Sequence, residues 1–383
     1  MSRIAGDALP SPKRWSQELE GLRGLASLWV VLGHICILVD FHFPILSDPS
    51  MGVDLFILLS GYLMAKNYME REDVEPWTAS STFKKFWLRR FFRIAPLYYV
   101  LLILAICLGS YFGEARDVIA NYYPATQTNT SRYSDGSFLN IFTHITFLFG
   151  FLPYYSFNTV LPDWSIGLEM QFYILFPFIM LGVMKFGFSR TCIAVIIMCV
   201  IARILAPNYF LSFPMPSMIL IKLNIFVAGM FIAAGVRNKS VFYIMLALLV
   251  TLASLYQHRS MSITRYAAQI GMILMMATIL WSHAEHSITN KFLRFPRWIL
   301  TNKFSVFLGD VSYSVYLLHL LIVLPVIALL LINTKFMEHI SIFRFCIATI
   351  IIIPPTYMIG YLLYNIIERP GIQFGKSLVK RIN

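Results

Sequence analysis

The chain has 383 residues, of which 58% are hydrophobic and 13% charged, with 32 phenylalanines and a formal net charge of +12. Soluble domains carry roughly a quarter charged residues, and a chain of this size has too little interior to hide so much apolar surface. A soluble globular enzyme, a disordered chain and a disulfide scaffold are excluded, and long unbroken apolar runs rather than short alternating ones speak against an outer-membrane barrel.

The polar stretch Met1–Gln17 lacks an apolar core with a cleavage site and does not read as a signal peptide. A span needs about 20 apolar residues. Such stretches lie at about 22–40, 51–68, 92–113, 166–184, 190–206, 217–236, 241–257, 263–282, 306–332 and 342–366. An eleventh, about 138–156, is shorter, carries His144 and stops at Pro153. If it does not cross, 23 of the 31 basic residues fall on the cytoplasmic side and five outside, with Arg203, Lys222 and Arg344 inside spans. That asymmetry satisfies the positive-inside rule. It predicts an all-α polytopic membrane protein with about ten transmembrane helices, one re-entrant or half-buried element at 138–156, and both termini cytoplasmic. A single domain is expected over 1–383, with tails at 1–20 and 369–383 around a helical bundle at 21–368. The positive charge is then a topological bias rather than a nucleic-acid footprint. Cys36, Cys107, Cys192, Cys199 and Cys346 all lie in apolar stretches without metal-ligand spacing, so no metal site is expected. No internal repeat of fixed period is seen.

Ionisable residues within spans are costly, which makes each a candidate for function. In the first span, Arg23 and His34 are eleven residues apart, about 20° from one helix face and about 16 Å along the axis. A snorkelling Arg with a hydrogen-bonded His is one reading. A general base of near-neutral pKa is the other. In the second span, Asp54 reads as a helix-start carboxylate, and Ser60-Gly61 as a close-packing point or a polar contact. Arg89, Arg90 and Arg93 share one side of the next helix. They form either an inside collar or a phosphate clamp, since Arg presents a rigid donor fork. Asp163 can cap the helix that follows it. One turn into that span Glu169, followed by Tyr173, needs a partner, a proton or a wet cavity. Ser312, Tyr316 and His319 form one polar stripe on an apolar helix. Lys222 and Arg203 read as snorkelling cations. A P-loop, GxGxxG, GxSxG and HExxH are all missing, so nucleotide hydrolysis, α/β-hydrolase chemistry and zinc proteolysis gain no support.

Six segments, taken together and in order, resemble the acyltransferase-3 family of integral membrane acyltransferases: ELEGLRGLASLWVVLGH (with Arg23 and His34), GVDLFILLSGYLM, RRFFRIAPLYY (with Arg90 and Arg93), DWSIGLEMQFYILFP, SYSVYLLH and IERP. The resemblance implies ten spans and transfer of an acyl group, usually acetyl, from acyl-CoA to a hydroxyl of a cell-surface carbohydrate such as an O-antigen, capsule, exopolysaccharide or lipid-linked glycan. It implies acetyl-CoA as cosubstrate with no bound cofactor, and a place in the bacterial inner membrane. The C-terminal hydrolase-like domain of some members is not expected here, since the chain ends about fifteen residues after its last span. His34, Glu169 and His319 are then the expected catalytic residues, and Arg23, Arg90 and Arg93 the acyl-CoA clamp, with Arg89 a further candidate. Asp54, Asp163, Tyr173, Ser60 and Tyr316 are expected to orient the acceptor or the base. Direct transfer and a transient acyl-enzyme both remain open. So do a small hydroxylated acceptor such as a macrolide and, as a rival class, a sugar or lipid transporter, although no paired broken helices in two related halves are visible.

Overall fold

The computed structural model describes residues 12–253, 262–281 and 293–382, and no strand occurs among them. In chain order the helices are α1 (Pro12–Leu38), α2 (Pro49–Arg71), α3 (Ser80–Cys107), α4 (Gly109–Tyr122), α5 (Ser131–Ser134), α6 (Phe138–Ile145), α7 (Trp164–Phe186), α8 (Phe188–Leu205) and α9 (Pro207–Leu211). They continue with α10 (Ile219–Asn238), α11 (Val241–Thr251), α12 (Ile263–Trp281), α13 (Arg294–Thr301), α14 (Lys303–Asp310), α15 (Ser312–Asn333) and α16 (Ser341–Leu363). A π-helical turn (Tyr364–Glu368) then leads into α17 (Arg369–Val379). The protein is an all-α polytopic membrane protein.

Eight described helices are long and apolar enough to cross a membrane: α1 from Gln17, α3, α7, α8, α10, α12, α15, and α16 continued through α17. Two of the ten expected stretches fall outside that set for physical reasons. α2 has the length, but Asp54, Lys66, Glu70 and Arg71 dilute its apolar character. α11 has only 11 residues, and the rest of the 241–257 stretch lies largely outside the described residues. The 138–156 stretch holds only the 8-residue α6 and a 3-10 turn at Leu148–Phe151, far short of a span. Its outer face exposes Phe138, Leu139 and Phe142 while Asn140, Thr143 and His144 are buried, which is the half-buried element expected.

Element ends depart from the apolar runs. α3 starts at Ser80, twelve residues before its apolar part, so the arginines belong to the helix itself and are held rigidly. The segment after 368 is not a free tail. α17 packs on α3, with the rings of Phe92 and Phe374 edge to face at 5.2 Å. The first described turns of α1 likewise precede the expected start at 21.

α10 is the innermost helix, with 94% of its apolar window buried. It lies along α2 so closely that a Cβ at Gly61 would collide with the carbonyl of Phe226, and one at Gly229 with that of Leu58. Ser60-Gly61 is therefore a packing point as well as a polar contact, the small-residue mode by which membrane helices approach. The same helices share a buried ion pair. Lys222 Nζ lies 2.7 Å from Asp54 Oδ1, and Gln269 of α12 donates to Asp54 Oδ2 at 2.7 Å. Arg265 Nη2 adds a contact at 3.6 Å. Lys222 is thus paired rather than snorkelling, and Asp54 serves this junction rather than the helix start. Arg203, also buried, donates to the Ala253 carbonyl at 3.2 Å.

Removing one partner strands the other charge in the bundle, which costs about 3–5 kcal/mol. Lys222→Met is expected to lower the thermal midpoint of the purified protein in detergent, and Asp54→Leu added to it is expected to recover most of the loss. A double variant no more stable than the single one would contradict the pairing.

Candidate active site

Six helices converge on one cavity, α10 contributing Phe226. α1 contributes Arg23, α2 contributes Phe56 and Ser60, and α3 contributes Arg90 and Arg93. α7 contributes Ser165, Glu169 and Tyr173, and α15 contributes Tyr313 and Tyr316. The cavity encloses about 780 Å³, counted out to its open mouth. Helical periodicity explains the convergence: Ser165, Glu169 and Tyr173 sit at i, i+4, i+8 on α7, and Arg90 and Arg93 at i, i+3 on α3.

The cavity divides into a cationic end and an apolar wall. Arg23 is held by Glu20 at 3.1 Å. Arg90 lies over the rings of Phe86 and Tyr173, 5.7 and 5.5 Å from their centroids. Neither Arg90 nor Arg93 makes a hydrogen bond or ion pair among the described residues. Arg89, which the sequence groups with them, is spoken for. Its two terminal nitrogens grip Glu75 at 2.8 and 2.7 Å, a bidentate pair that leaves no fork for a ligand. Burial works to raise the Glu75 carboxyl, but the Arg89 and Arg71 guanidiniums outweigh it and hold it below its ordinary value. The strength of this bridge is therefore present at neutral pH and lost only as pH falls through that lowered value. Val53, Ile57, Leu59 and Leu63 supply the apolar wall.

Glu169 is neither capped by an arginine nor left bare. Ser60 Oγ donates to its Oε1 at 2.8 Å, and the Tyr173 hydroxyl donates to the same oxygen. Deeper in, the Tyr316 hydroxyl donates to the Pro162 carbonyl at 2.8 Å, so the Ser165 hydroxyl, 2.6 Å away, must donate to Tyr316. Tyr316, with Phe56 edge-on at 5.7 Å, closes the inner end.

Beyond Tyr316 lie the two histidines. His319 Nδ1 is 2.6 Å from the Tyr316 carbonyl, which can only accept, so that nitrogen carries the proton and Nε2 is the lone pair. His319 Nε2 lies 3.2 Å from His34 Nδ1, which is also 2.9 Å from the Val30 carbonyl. Two acceptors face His34 Nδ1, so it too must bear a proton. The lone pair of His34 is left on Nε2. Hydrogen bonding thus orients His34 as a base, with His319 fully buried behind it and His34 itself half-buried.

Two expected members stand elsewhere. Asp54 is committed to Lys222, as described above. Asp163 occupies the N-cap position of α7, but its side chain makes no capping bond. It accepts from Thr159 at 2.8 Å and faces His144 Nε2 at 3.6 Å, both groups fully buried. A carboxylate with a hydroxyl and an imidazole at hand gains more from them than from backbone N–H groups. Sequence reasoning missed Ser165, Tyr313 and Phe56. Ser165 was accessible, since it stands one turn before Glu169 on the same face.

Residues 16–364 match the family described as Acyltransferase domain. The chain belongs to this family. Among its relatives are the peptidoglycan O-acetyltransferase OatA of Listeria monocytogenes, 27% identical over 177 residues, covering 45% of this chain and 25% of the relative. A putative O-acetyltransferase of Staphylococcus aureus is 26% identical over 186 residues, covering 47% and 27%. A putative membrane-bound transacylase of Komagataeibacter xylinus, BcsY, is 30% identical over 167 residues, covering 43% and 37%. The chain thus matches only about a quarter to a third of the length of these relatives. No solved structure matches it.

Unpaired guanidiniums at a cavity mouth predict anion binding. Arg93→Ala is expected to weaken binding of coenzyme A by about tenfold or more, about 1.4 kcal/mol. Arg90→Lys and Arg93→Lys, which keep the charge and lose the fork, should fall between wild type and alanine. Isothermal titration of coenzyme A into the purified protein reads this, and unchanged affinity in Arg93→Ala would remove these arginines from the binding site.

Proposed function

We propose that this protein moves an acyl group, most simply acetyl, from acyl-CoA to a hydroxyl of a cell-surface carbohydrate, within a bacterial inner membrane. The observation that carries the reading is a cavity that gathers Arg90, Arg93, Glu169 and Tyr316, backed beyond Tyr316, outside the cavity lining, by a histidine pair in which His34 keeps its lone pair on Nε2. Anionic donor, apolar arm and acceptor proton each find a matching group in that arrangement. The family supports acyl transfer. The names of the relatives support O-acetylation, and that of the Listeria protein supports a carbohydrate acceptor.

In this reading the phosphates of acyl-CoA meet Arg90 and Arg93, with Arg23 beside them. The pantetheine arm lies along Val53, Ile57 and Leu63 and brings the thioester past Tyr316. His34 Nε2 takes the proton of the acceptor hydroxyl as its oxygen attacks the thioester carbonyl. The imidazolium is stabilised because Nδ1–H already donates to His319 and Val30. As the tetrahedral adduct collapses, the C–S bond breaks, the thiolate takes the proton back from His34, and an ester and free CoA-SH result. Atoms and protons balance without a metal step. Glu169 holds Ser60 and Tyr173 in place beside the arginines and is a positioning residue in this scheme. The excess of basic residues at the arginine end supports a cytoplasmic donor side, which places the acceptor at the opposite end.

A positioned general base contributes about 10²–10⁴-fold in rate. His34→Ala is therefore expected to lose about that much transfer from acetyl-CoA while binding coenzyme A as before. In a gene-deletion strain, mass spectrometry of surface glycans should show loss of one acetyl mass per modified sugar. The wild-type gene should restore it and His34→Ala should not. Full restoration by His34→Ala would remove His34 from the chemistry, and glycans unchanged by the deletion would overturn the carbohydrate acceptor.

A further inference from the structure

A second pocket opens at the other end of α3. Its walls are the last turn of α3 (Ala105, Ile106), Ser110 at the start of α4, Arg132 to Gly136, and Asn158 with Thr159. About 18 Å of helix separates Ala105 from Arg93, so this pocket lies far from the arginine mouth. It encloses about 630 Å³ out to its opening, within the size range of small-molecule sites. Polar and apolar groups share its lining about equally, whereas the first cavity is mainly apolar.

Arg132 is the anchor of this wall and is only 5% exposed. Its Nε donates to the Thr159 carbonyl at 2.9 Å and its Nη2 to the Val160 carbonyl at 3.3 Å. Its guanidinium stacks over the Phe157 ring at 3.8 Å. Its Nη1 has no hydrogen-bond partner among the described residues, and the side chain lines the pocket. Asn158 donates to Asp135 at 3.0 Å, which fixes two planar polar groups side by side. Planar amide, carboxylate and guanidinium groups beside hydroxyls match the paired donors and acceptors of vicinal sugar hydroxyls.

The pocket is joined to the chemistry by a short stretch of chain. Residues 158–165 line this pocket at one end and reach the donor cavity at the other, a distance of at most about 23–25 Å. Within it, Pro162 and Ser165 bond the Tyr316 hydroxyl, and the Tyr316 carbonyl holds His319.

We infer that the pocket between the end of α3, α5 and Asn158-Thr159 is the subsite that receives the sugar bearing the reactive hydroxyl. Arg132 Nη1, Asp135 and Asn158 bind the ring hydroxyls, and the sugar's neighbouring hydroxyl is presented toward His34. This assignment rests on the reading of the protein as an acyltransferase to carbohydrate for the identity of the ligand, and on the pocket alone for its place.

Gly136 lines the pocket in an ordinary backbone conformation, and a Cβ there meets nothing within 4 Å. Gly136→Trp therefore fills the pocket without disturbing the fold, and Gly136→Ala serves as its control. Ser110→Trp fills it from the opposite, exposed wall. The full chain in lipid nanodiscs is probed with oligosaccharide released from the surface glycan of a strain lacking this gene. Saturation-transfer NMR of the sugar protons reads binding. Wild type, Gly136→Ala and His34→Ala are expected to bind, and Gly136→Trp and Ser110→Trp to lose about tenfold or more in affinity while coenzyme A affinity is unchanged. Equal sugar binding in both tryptophan variants, or none in wild type, overturns the subsite. Acetyl transfer to the same oligosaccharide is measured separately. Wild type that binds sugar at this pocket and transfers nothing overturns the proposed function and leaves the subsite standing.

Discussion

A charge inside an apolar bundle must be paired, neutralised or wetted, and that constraint sorts the main ionisable residues described within this one. Asp54 and Lys222 meet across α2 and α10 at 2.7 Å with Gln269 completing the carboxylate. Their mutual satisfaction lets two helices with a polar load sit at the centre of the fold. Asp163 and His144 settle a second pair of buried groups. Arg89 is neutralised by Glu75. Around the cavity and the histidine pair, Arg90, Arg93 and the Nε2 of His34 are left without a hydrogen-bond partner among the described residues.

The histidine pair adds a second constraint. Proton placement at His34 is imposed from outside its own side chain, by the Tyr316 carbonyl acting through His319 and by the Val30 carbonyl acting directly. Tyr316 is engaged at both of its polar ends, its carbonyl holding His319 and its hydroxyl meeting Pro162 and Ser165. The cavity's inner wall, the histidine pair and the 158–165 strip are consequently one hydrogen-bonded unit.

Local geometry was legible in the sequence wherever partners lie on one helix. The Glu169–Tyr173 contact follows from i, i+4 spacing, and the Tyr316–His319 contact from i, i+3. The shortness of the helix in 138–156 was foreshadowed by the length of its apolar run and by the charge count. Long-range pairings were not legible. Lys222 and Asp54 are 168 residues apart, and no local pattern says that a lone intramembrane cation has found a lone anion rather than the bilayer surface. Asp163 misled for a related reason: a capping position is a statement about backbone, and a buried hydroxyl and imidazole outcompeted the helix end for its carboxylate. Hydropathy marks only the apolar part of a helix and not its ends. Basic amphipathic turns such as those before Phe92 and after Glu368 are helical without being apolar.

The contact between His34 and His319 joins residues 285 positions apart in the chain. During synthesis the first helix enters the membrane with its histidine long before α15 has left the ribosome. Until then only the Val30 carbonyl of its own helix faces His34 Nδ1, and neither His319 nor the wall that Tyr316 provides is present. The histidine pair is therefore completed late, when most of the bundle is already inserted. A nascent or truncated chain that has made α1 to α12 carries the arginines and the first histidine but lacks the second histidine and the tyrosine that pack against it.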